Sequence, residues 1–305
     1  MASSGNSGNS DNSSNSDNSS NFSIVSWNVN GIRSRVFNQK PSTELKNDYK
    51  LVPEQNSSIY NLIHKYNPDI ICLQETKCSV NHSQHISLPN YTKYFNESKL
   101  NGARSGSRYS GTAIFTKIVP IKVYYEIPKY DIKDGRIIVA EFEKFVLINI
   151  YSPNSGTNYE SKQLFQVALL DFLCSFDKNK SILVCGDYNM ALDTYFDKTK
   201  VKPAPGYYDF ELLFNQFLLQ YDFKDSISEE DEIIYTWWNQ KTKKIIDPLT
   251  NVPINLNRYL NKGWRLDYIY TKNTKGNCKV IKEIGEEYSP NASDHAPIFG
   301  NYSII

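Results

Sequence analysis

Five short stretches of this 305-residue chain stop on a carboxylate, an amide or an imidazole. They are Ile24-Val25-Ser26-Trp27-Asn28, Ile70-Ile71-Cys72-Leu73-Gln74-Glu75, Ile182-Leu183-Val184-Cys185-Gly186-Asp187-Tyr188-Asn189, Trp264-Arg265-Leu266-Asp267 and Ser293-Asp294-His295. Hard divalent cations require oxygen-rich sets of carboxylates and amides, and one His beside such a set suits acid or hydrogen-bond work. The chain therefore reads as a metal-dependent enzyme, provided that its fold brings these ends together.

Each residue has a chemical and an ordinary reading. Glu75 follows an apolar run that would deliver its carboxylate to a sheet rim with little freedom, as a metal ligand requires. A surface glutamate after a strand is the alternative. Asp187 and Asn189 are one residue apart, and on an extended backbone both side chains would share a face. There they could hold a water beside a phosphoryl oxygen. A turn built on Gly-Asp-x-Asn is the alternative. Asp267 lies in an apolar run, where an ionised carboxylate is costly without a partner. Bonded to His295, it would orient the imidazole and favour its protonated form, offering a cation to a phosphate oxygen. Asp294 and His295 are adjacent and can face one site only across a bend, which Pro297 could assist. Tyr151 ends an apolar run before Ser152-Pro153-Asn154, where a phenol could donate to a phosphate or pack as a rim aromatic.

Runs rich in Val, Ile and Leu are expected to be strands. Besides those above, Gly111–Lys117, Ile121–Tyr125, Arg136–Phe142, Phe145–Tyr151, Tyr235–Trp238, Leu266–Tyr270, Lys279–Glu283 and Pro297–Tyr302 read this way. The runs at 111–117 and 121–125 look like a hairpin. Helical spacing appears in Ile59, Leu62, Ile63 and Tyr66, in Leu164 through Phe176, and in Leu212, Leu213, Phe217 and Leu218. The pattern predicts two sheets packed face to face with helices outside, a layered α/β sandwich. Phe37–Ser57 and Lys241–Lys262 read as long loops, either binding loops or disorder.

Residues 1–21 are almost all Asn, Ser, Gly or Asp and offer nothing apolar to offset ordering entropy, so a disordered tail is expected before one domain spanning 22–305. The tail lacks the features of a secretory signal or a mitochondrial presequence, and no run approaches a membrane span. Five cysteines without a Cys-x-x-Cys pair argue against a disulfide framework or a zinc site. Cys72 and Cys185 read as core packing. An intracellular location, nuclear or cytoplasmic, is expected. Formal charge is +1, so no global basicity announces a nucleic acid. The clusters Lys198, Lys200, Lys202 and Lys241, Lys243, Lys244 could mark local patches or simply solvated faces, and Arg33, Arg35, Arg104, Arg108 and Arg136 flank polar segments that could line a groove.

Taken in order, eight blocks resemble the exonuclease III and apurinic/apyrimidinic (AP) endonuclease family, of the deoxyribonuclease I-like superfamily. They are Trp27-Asn28-Val29-Asn30-Gly31-Ile32-Arg33, Leu73-Gln74-Glu75-Thr76-Lys77, Tyr109-Ser110-Gly111, Gly135 to Phe142, Tyr151 to Gly156, Gly186-Asp187-Tyr188-Asn189, Gly263-Trp264-Arg265-Leu266-Asp267-Tyr268 and Ser293-Asp294-His295. The resemblance implies a four-layered α/β sandwich of two packed mixed β-sheets flanked by helices. It also implies incision of duplex DNA on the 5′ side of an abasic site, with 3′-exonuclease or 3′-end-cleaning activity as a further possibility, by a monomeric enzyme using Mg²⁺, for which Mn²⁺ would substitute. It implies Asn28, Glu75 and Asp294 as metal ligands, with Asp187 and Asn189 on the attacking water or a second metal, and Tyr151, Asp267 and His295 at the phosphate. Trp237, Trp264 and Leu266 match the wall of an abasic-sugar pocket, while Arg33, Tyr109, Arg136 and Asn154 match DNA contacts. Asn30 stands where some members carry Asp, and Ala191–Gly206 departs from the family pattern. A lipid or inositol phosphodiesterase on the same fold and a non-catalytic DNA-binding homologue are the competing readings.

Overall fold

The computed structural model describes residues 21–36, 52–99, 109–131, 133–154, 159–192, 207–227, 235–241, 243–246, 248, 251, 253–281 and 293–305. The tail 1–20, most of the first long loop (37–51), Arg104 and Arg108, the Lys198–Lys202 cluster and most of the divergent segment after Ala191 lie outside these residues. Asn21, placed in the tail by composition, is the first residue of a strand.

One sheet has the order β13 (Thr274–Val280), β14 (Ile298–Ile304), β1 (Asn21–Asn28), β2 (Ile70–Gln74), β4 (Thr112–Thr116), β3 (Thr92–Asn96). The other runs β5 (Lys122–Tyr124), β6 (Ile137–Glu141), β7 (Phe145–Tyr151), β8 (Ser181–Asp187), β12 (Asp267–Lys272), β9 (Lys224–Asp225). Each sheet has one parallel pair at its centre, β1 with β2 and β7 with β8, and the remaining pairs are antiparallel. Parallel neighbours need a crossover. Helix α2 (Ser58–Tyr66) lies between β1 and β2, and α4 (Tyr159–Cys174) between β7 and β8. Helix α5 (Tyr207–Gln220) packs beside α4, and α1 (Ile32–Val36), α3 (Val80–Ser83) and α6 (Leu256–Tyr259) are short.

Strand alternation creates the four layers. Ile24, Ile70, Cys72 and Ile114 meet Ile138, Ala140, Leu147, Leu183, Cys185 and Ile269 between the sheets. The opposite faces, Val25, Trp27, Ile71 and Leu73 on one sheet and Val139, Ile148, Ile150 and Val184 on the other, pack on Ile59 and Leu62 of α2 and on Phe165, Ala168, Leu169, Phe214 and Leu218 of α4 and α5. The expected sandwich and the core role of the two cysteines are what the structure shows. Among the described residues no helix is long and apolar enough to cross a membrane.

Three local expectations differ. The runs at 111–117 and 121–125 are not a hairpin: the chain leaves β4 at Lys117, whose N–H bonds Asp69, passes Pro120, and joins the other sheet where Ile121 bonds Glu141. Tyr235–Trp238 makes isolated bridges instead of a ladder. The stretch 241–262 is not simply a loop, since β10 (Lys244–Ile246) and β11 (Pro253–Asn255) pair antiparallel and α6 follows, capped by the Asn255 side chain.

Gly186 and Asn149 set the distance between neighbours. Gly186 has φ +141°, and an added Cβ would overlap the Ile150 carbonyl oxygen of β7. Asn149 reaches across the sandwich, donating to Leu73 O at 3.1 Å and Ala113 O at 3.0 Å and accepting from Gln74 Nε2 at 2.7 Å. Asn149→Ala strands these buried groups, so we expect a loss of about 1–3 kcal/mol, read as a lower urea midpoint at unchanged slope. An unchanged midpoint would show that the bridge adds nothing.

Candidate active site

Register does most of the assembly. Asp187 at the end of β8 lies directly opposite Tyr151 at the end of β7 and Asp267 at the start of β12, so one row across three strands carries all three. In the facing sheet Asn28 ends β1 opposite Gln74, the last residue of β2. The segment leading into β14, antiparallel to β1, places His295 at the same end, where its carbonyl accepts from Trp27 Nε1 at 3.1 Å. The strand ends expected to carry chemistry therefore meet at one rim of the sandwich.

Turns then bring the groups into contact. Asn30, Glu75, Lys77 and Asn189 all have positive φ, between 45° and 49°, a left-handed conformation uncommon for such residues and frequent at functional sites. Backbone bonds lock the first three: Gly31 N to Glu75 O at 2.7 Å, Ile32 N to Thr76 O at 2.9 Å, and Lys77 N to Ser110 O at 2.9 Å. Asp187 and Asn189 do not share an extended face. The strand stops at Asp187, whose Oδ1 accepts the Asn189 N–H at 2.8 Å, so the turn alternative is the one the chain adopts.

Two side chains tie the sheets together. Tyr151 donates its hydroxyl to Glu75 Oε1 at 2.7 Å. Asn28 Nδ2 donates to Asp187 Oδ2 at 2.8 Å and to Glu75 Oε1 at 3.2 Å. His295 Nδ1 is 2.8 Å from Asp267 Oδ2, while Nε2 faces Asp187 Oδ2 at 3.9 Å. Asp294 accepts from Asn30 Nδ2 at 3.0 Å and from Trp237 Nε1 at 3.1 Å. With Asn30 as the link, its N–H bonding Asn28 Oδ1 at 3.0 Å, the residues Asn28, Glu75, Tyr151, Asp187, Asn189, Asp267, Asp294 and His295 form one connected set. Asp187, Asp267 and His295 are close enough to suggest a metal cluster by themselves. The 2.8 Å contact engages His295 Nδ1 with Asp267 and leaves Nε2 as the ring atom facing Asp187.

The charges have a clear order. Burial alone would lower the His295 pKa, but the Asp267 and Asp187 charges, the bond to Asp267 and the Asp294 charge outweigh it and raise it to about 10. His295 is therefore an imidazolium at neutral pH. Asp187 is pushed up to about 7, chiefly by burial, against the opposing charge of His295. Burial also works against the ionised form of Glu75, yet the Lys77 ammonium and the Lys77 and Tyr151 bonds leave its carboxyl below the ordinary value. Tyr151 is driven well up by burial and by the Glu75 and Asp187 charges, so it stays a phenol and a donor.

The oxygen set fits a hard cation. The Lys77 ammonium already sits 2.7 Å from Glu75 Oε2 and 2.5 Å from Asn30 Oδ1, and Asn30 in turn holds Asp294. Carboxylate and amide oxygens gathered around a positive charge are the donors that Mg²⁺ or Mn²⁺ take.

The three residues expected to wall a sugar pocket also come together. Leu266 and Ala191 form a buried floor, and the half-buried rings of Trp237 and Trp264 stand over it with centroids 5.2 Å apart. The residues expected to touch DNA divide. Tyr109 is 46% exposed and Asn154 is exposed, whereas Arg33 is partly buried against His82 at 3.2 Å. Arg136 is only 5% exposed: it pairs with Asp134, donates to Tyr151 O at 3.1 Å and lies under the Tyr151 ring at 4.7 Å, so it positions Tyr151.

Several contributors were missed in the sequence. Lys77 and Asn30 stood inside quoted motifs without a role. Thr236 Oγ1 accepts the N–H of Leu266 at 2.9 Å and of Asp267 at 3.1 Å, and Ser293 donates to Asn28 O at 2.6 Å. Lys162 of α4 is buried, pairs with Glu211 at 2.6 Å and donates to the Asn189 carbonyl, while Glu211 accepts from Ala191 N at 3.2 Å. Asn30, Lys77 and Ser293 sit inside recognisable blocks, whereas Lys162 and Glu211 do not. A lysine within a helical apolar stripe carries none.

His295 gains charge from the fold, so its contribution to stability is complete below its ordinary 6.5 and is lost as pH rises through about 10. In EDTA, His295 ring resonances should titrate near 10 in the wild type, and Asp267→Asn should bring the midpoint down by roughly one to three pH units. A wild-type midpoint near 6.5 would contradict the arrangement.

Comparison with known proteins agrees with this geometry. The sequence matches the Endonuclease/Exonuclease/phosphatase family over residues 25–295. It is 30% identical to an exodeoxyribonuclease of Bacillus subtilis (strain 168), covering 90% of this chain and 97% of that protein. It is 29% identical to a DNA-(apurinic or apyrimidinic site) endonuclease of Dictyostelium discoideum, covering 90% and 69%. Recombination repair protein 1 of Drosophila melanogaster is 32% identical over 90% of this chain, which spans only 36% of that protein. The fold superposes on a 3′-5′ exonuclease from Neisseria meningitidis with TM-score 0.69 at 22% identity, covering 92% and 98%. The chain belongs to the Endonuclease/Exonuclease/phosphatase family, in the branch of exonuclease III and the AP endonucleases.

Proposed function

We propose that this chain is a DNA-repair phosphodiesterase that incises duplex DNA on the 5′ side of an abasic site, leaving a 3′-hydroxyl and a 5′-deoxyribose phosphate. One observation carries the reading. The aromatic cluster of Trp237 and Trp264 over Leu266 and Ala191 is bonded directly to the carboxylate rim through Asp294. A flipped, base-less sugar fits a small apolar recess that a full nucleotide fills badly, and its phosphate would then lie at the charged rim. An inositol phosphate would call for basic residues in that recess, where two tryptophans stand.

Asp187 takes the attacking water, because its raised pKa suits a base near neutral pH and the turn through Asn189 fixes its orientation. Nucleophilic attack at phosphorus displaces the 3′-oxygen of the preceding nucleotide. Across the site the His295 imidazolium, held by Asp267, offers Nε2 to a phosphate oxygen, and the Tyr151 phenol offers a second donor. Glu75 and Asp294, with the amide of Asn28, would hold Mg²⁺ or Mn²⁺, which neutralises the phosphate and the charge developing on it. Asn189 Nδ2 donates to Ser152 O at 2.9 Å, which orients its amide in the turn beside Asp187, and we keep it on the attacking water or a second metal. Exposed Tyr109, Asn154 and the Lys241, Lys243 and Lys244 edge of the β10–β11 hairpin supply DNA-backbone contacts, which position without reading sequence. We take the enzyme to act as a monomer, inside the cell where DNA is repaired.

A gel assay under one Mg²⁺ condition should compare a duplex with a synthetic abasic site, a nick ending in a 3′-phosphate, and intact DNA. Incision of the abasic duplex, abolished by EDTA and reduced by at least about a thousandfold in Asp187→Ala, is expected, a loss of roughly 4 kcal/mol in transition-state stabilisation. Intact activity in Asp187→Ala would reject the mechanism. Cleavage of the nick alone would reject the abasic substrate.

A further inference from the structure

Trp237 is a wall of the sugar pocket, yet its edge serves the other half of the site. Its indole N–H donates to Asp294 Oδ2 at 3.1 Å, while Asn30 holds Oδ1 at 3.0 Å. The backbone leaves the ring little choice. Trp237 bridges Trp264 on one side and His295 on the other. Its N–H and carbonyl both bond Trp264 at 2.9 Å, and the N–H of Trp238 bonds the Asp294 carbonyl at 3.0 Å. A residue clamped between both partners presents its face beside Trp264 and its N–H to the carboxylate.

We propose that Trp237 couples the pocket to the cation site: it positions the Asp294 carboxylate for the divalent cation, through the same ring that borders the sugar. The inference rests on the reading of Asp294 as a cation ligand given above. Phenylalanine would rebuild the wall but leave Asp294 Oδ2 without this donor. Loss of a group that orients a ligating carboxylate weakens metal binding about 10- to 100-fold. Linkage is reciprocal, so any change that sugar occupancy makes to cation affinity is matched by an equal change in the other direction.

The test needs neither DNA nor turnover. Free Mn²⁺ is titrated by electron paramagnetic resonance against wild type, Trp237→Phe and Asp294→Ala, with melting in EDTA as a check on folding. Both variants should bind Mn²⁺ at least about tenfold more weakly. If Asp294→Ala is weakened and Trp237→Phe binds like wild type, the coupling is overturned and the ligand reading stands. If Asp294→Ala binds like wild type, the ligand reading fails and takes the coupling with it. A second measurement does not depend on how a variant folds. The chain has four tryptophans, and in ¹⁵N-Trp-labelled wild type the indole N–H signal of Trp237 should shift with Mg²⁺ along a single saturable curve. A signal that stays fixed while the protein saturates with cation overturns the coupling.

Discussion

The buried imidazolium of His295 is the charge on which the rest of the site depends. Asp187 and Asp267 are almost completely buried and Asp294 is largely so, and an unpaired carboxylate in such surroundings is expensive. One cation bonded to Asp267 and facing Asp187 makes their ionised forms tolerable. The arrangement still leaves Asp187 at a raised pKa, which suits a base, while His295 remains charged. A second cation, Lys77, does the same for Glu75 on the other sheet and also bonds the Asn30 amide oxygen. Function and stability are therefore one electrostatic problem here, solved by placing positive charge among oxygens that a phosphate and a metal would later share.

That placement is possible because the sandwich closes with its strand ends level. Asn149 and Gln74 bond across the interface between the sheets, and the close pass of Gly186 against β7 keeps Tyr151, Asp187 and Asp267 in one row. Behind the row, Lys162 and Glu211 clamp the turn that follows Asp187 from the helical layer. Arg136 steadies Tyr151 from below. Nearly every polar group at the rim is held by another whose own position comes from the core.

Much of this was legible in the sequence because it is written in local patterns. An apolar run that ends on Asn28, Glu75 or Asp187 states both that a strand is buried and where its polar end emerges. The family blocks then supplied their order, and the resemblance singled out Trp237, Trp264 and Leu266, which the fold brings together. What could not be read is long-range or conformational. A left-handed turn at Asn189 and an extended continuation have the same sequence spacing. Lys162 looks like any helical lysine until Glu211, distant in sequence, is folded against it. Arg136 reads as a surface cation until Asp134 and two tyrosines enclose it. The 241–262 stretch lacks a clean alternation, and only the pairing of Lys244–Ile246 with Pro253–Asn255 gives it form.

The central claim is that Asp267 acts through His295, as one charged unit with it. The most direct measurement is a double-mutant cycle on the single-turnover incision rate, using Asp267→Asn, His295→Gln and the pair together. The account predicts that the double variant is no slower than His295→Gln alone, because Asp267 has no further task once the imidazolium is gone. Losses that multiply would contradict it, and would mean that the two residues serve the reaction independently.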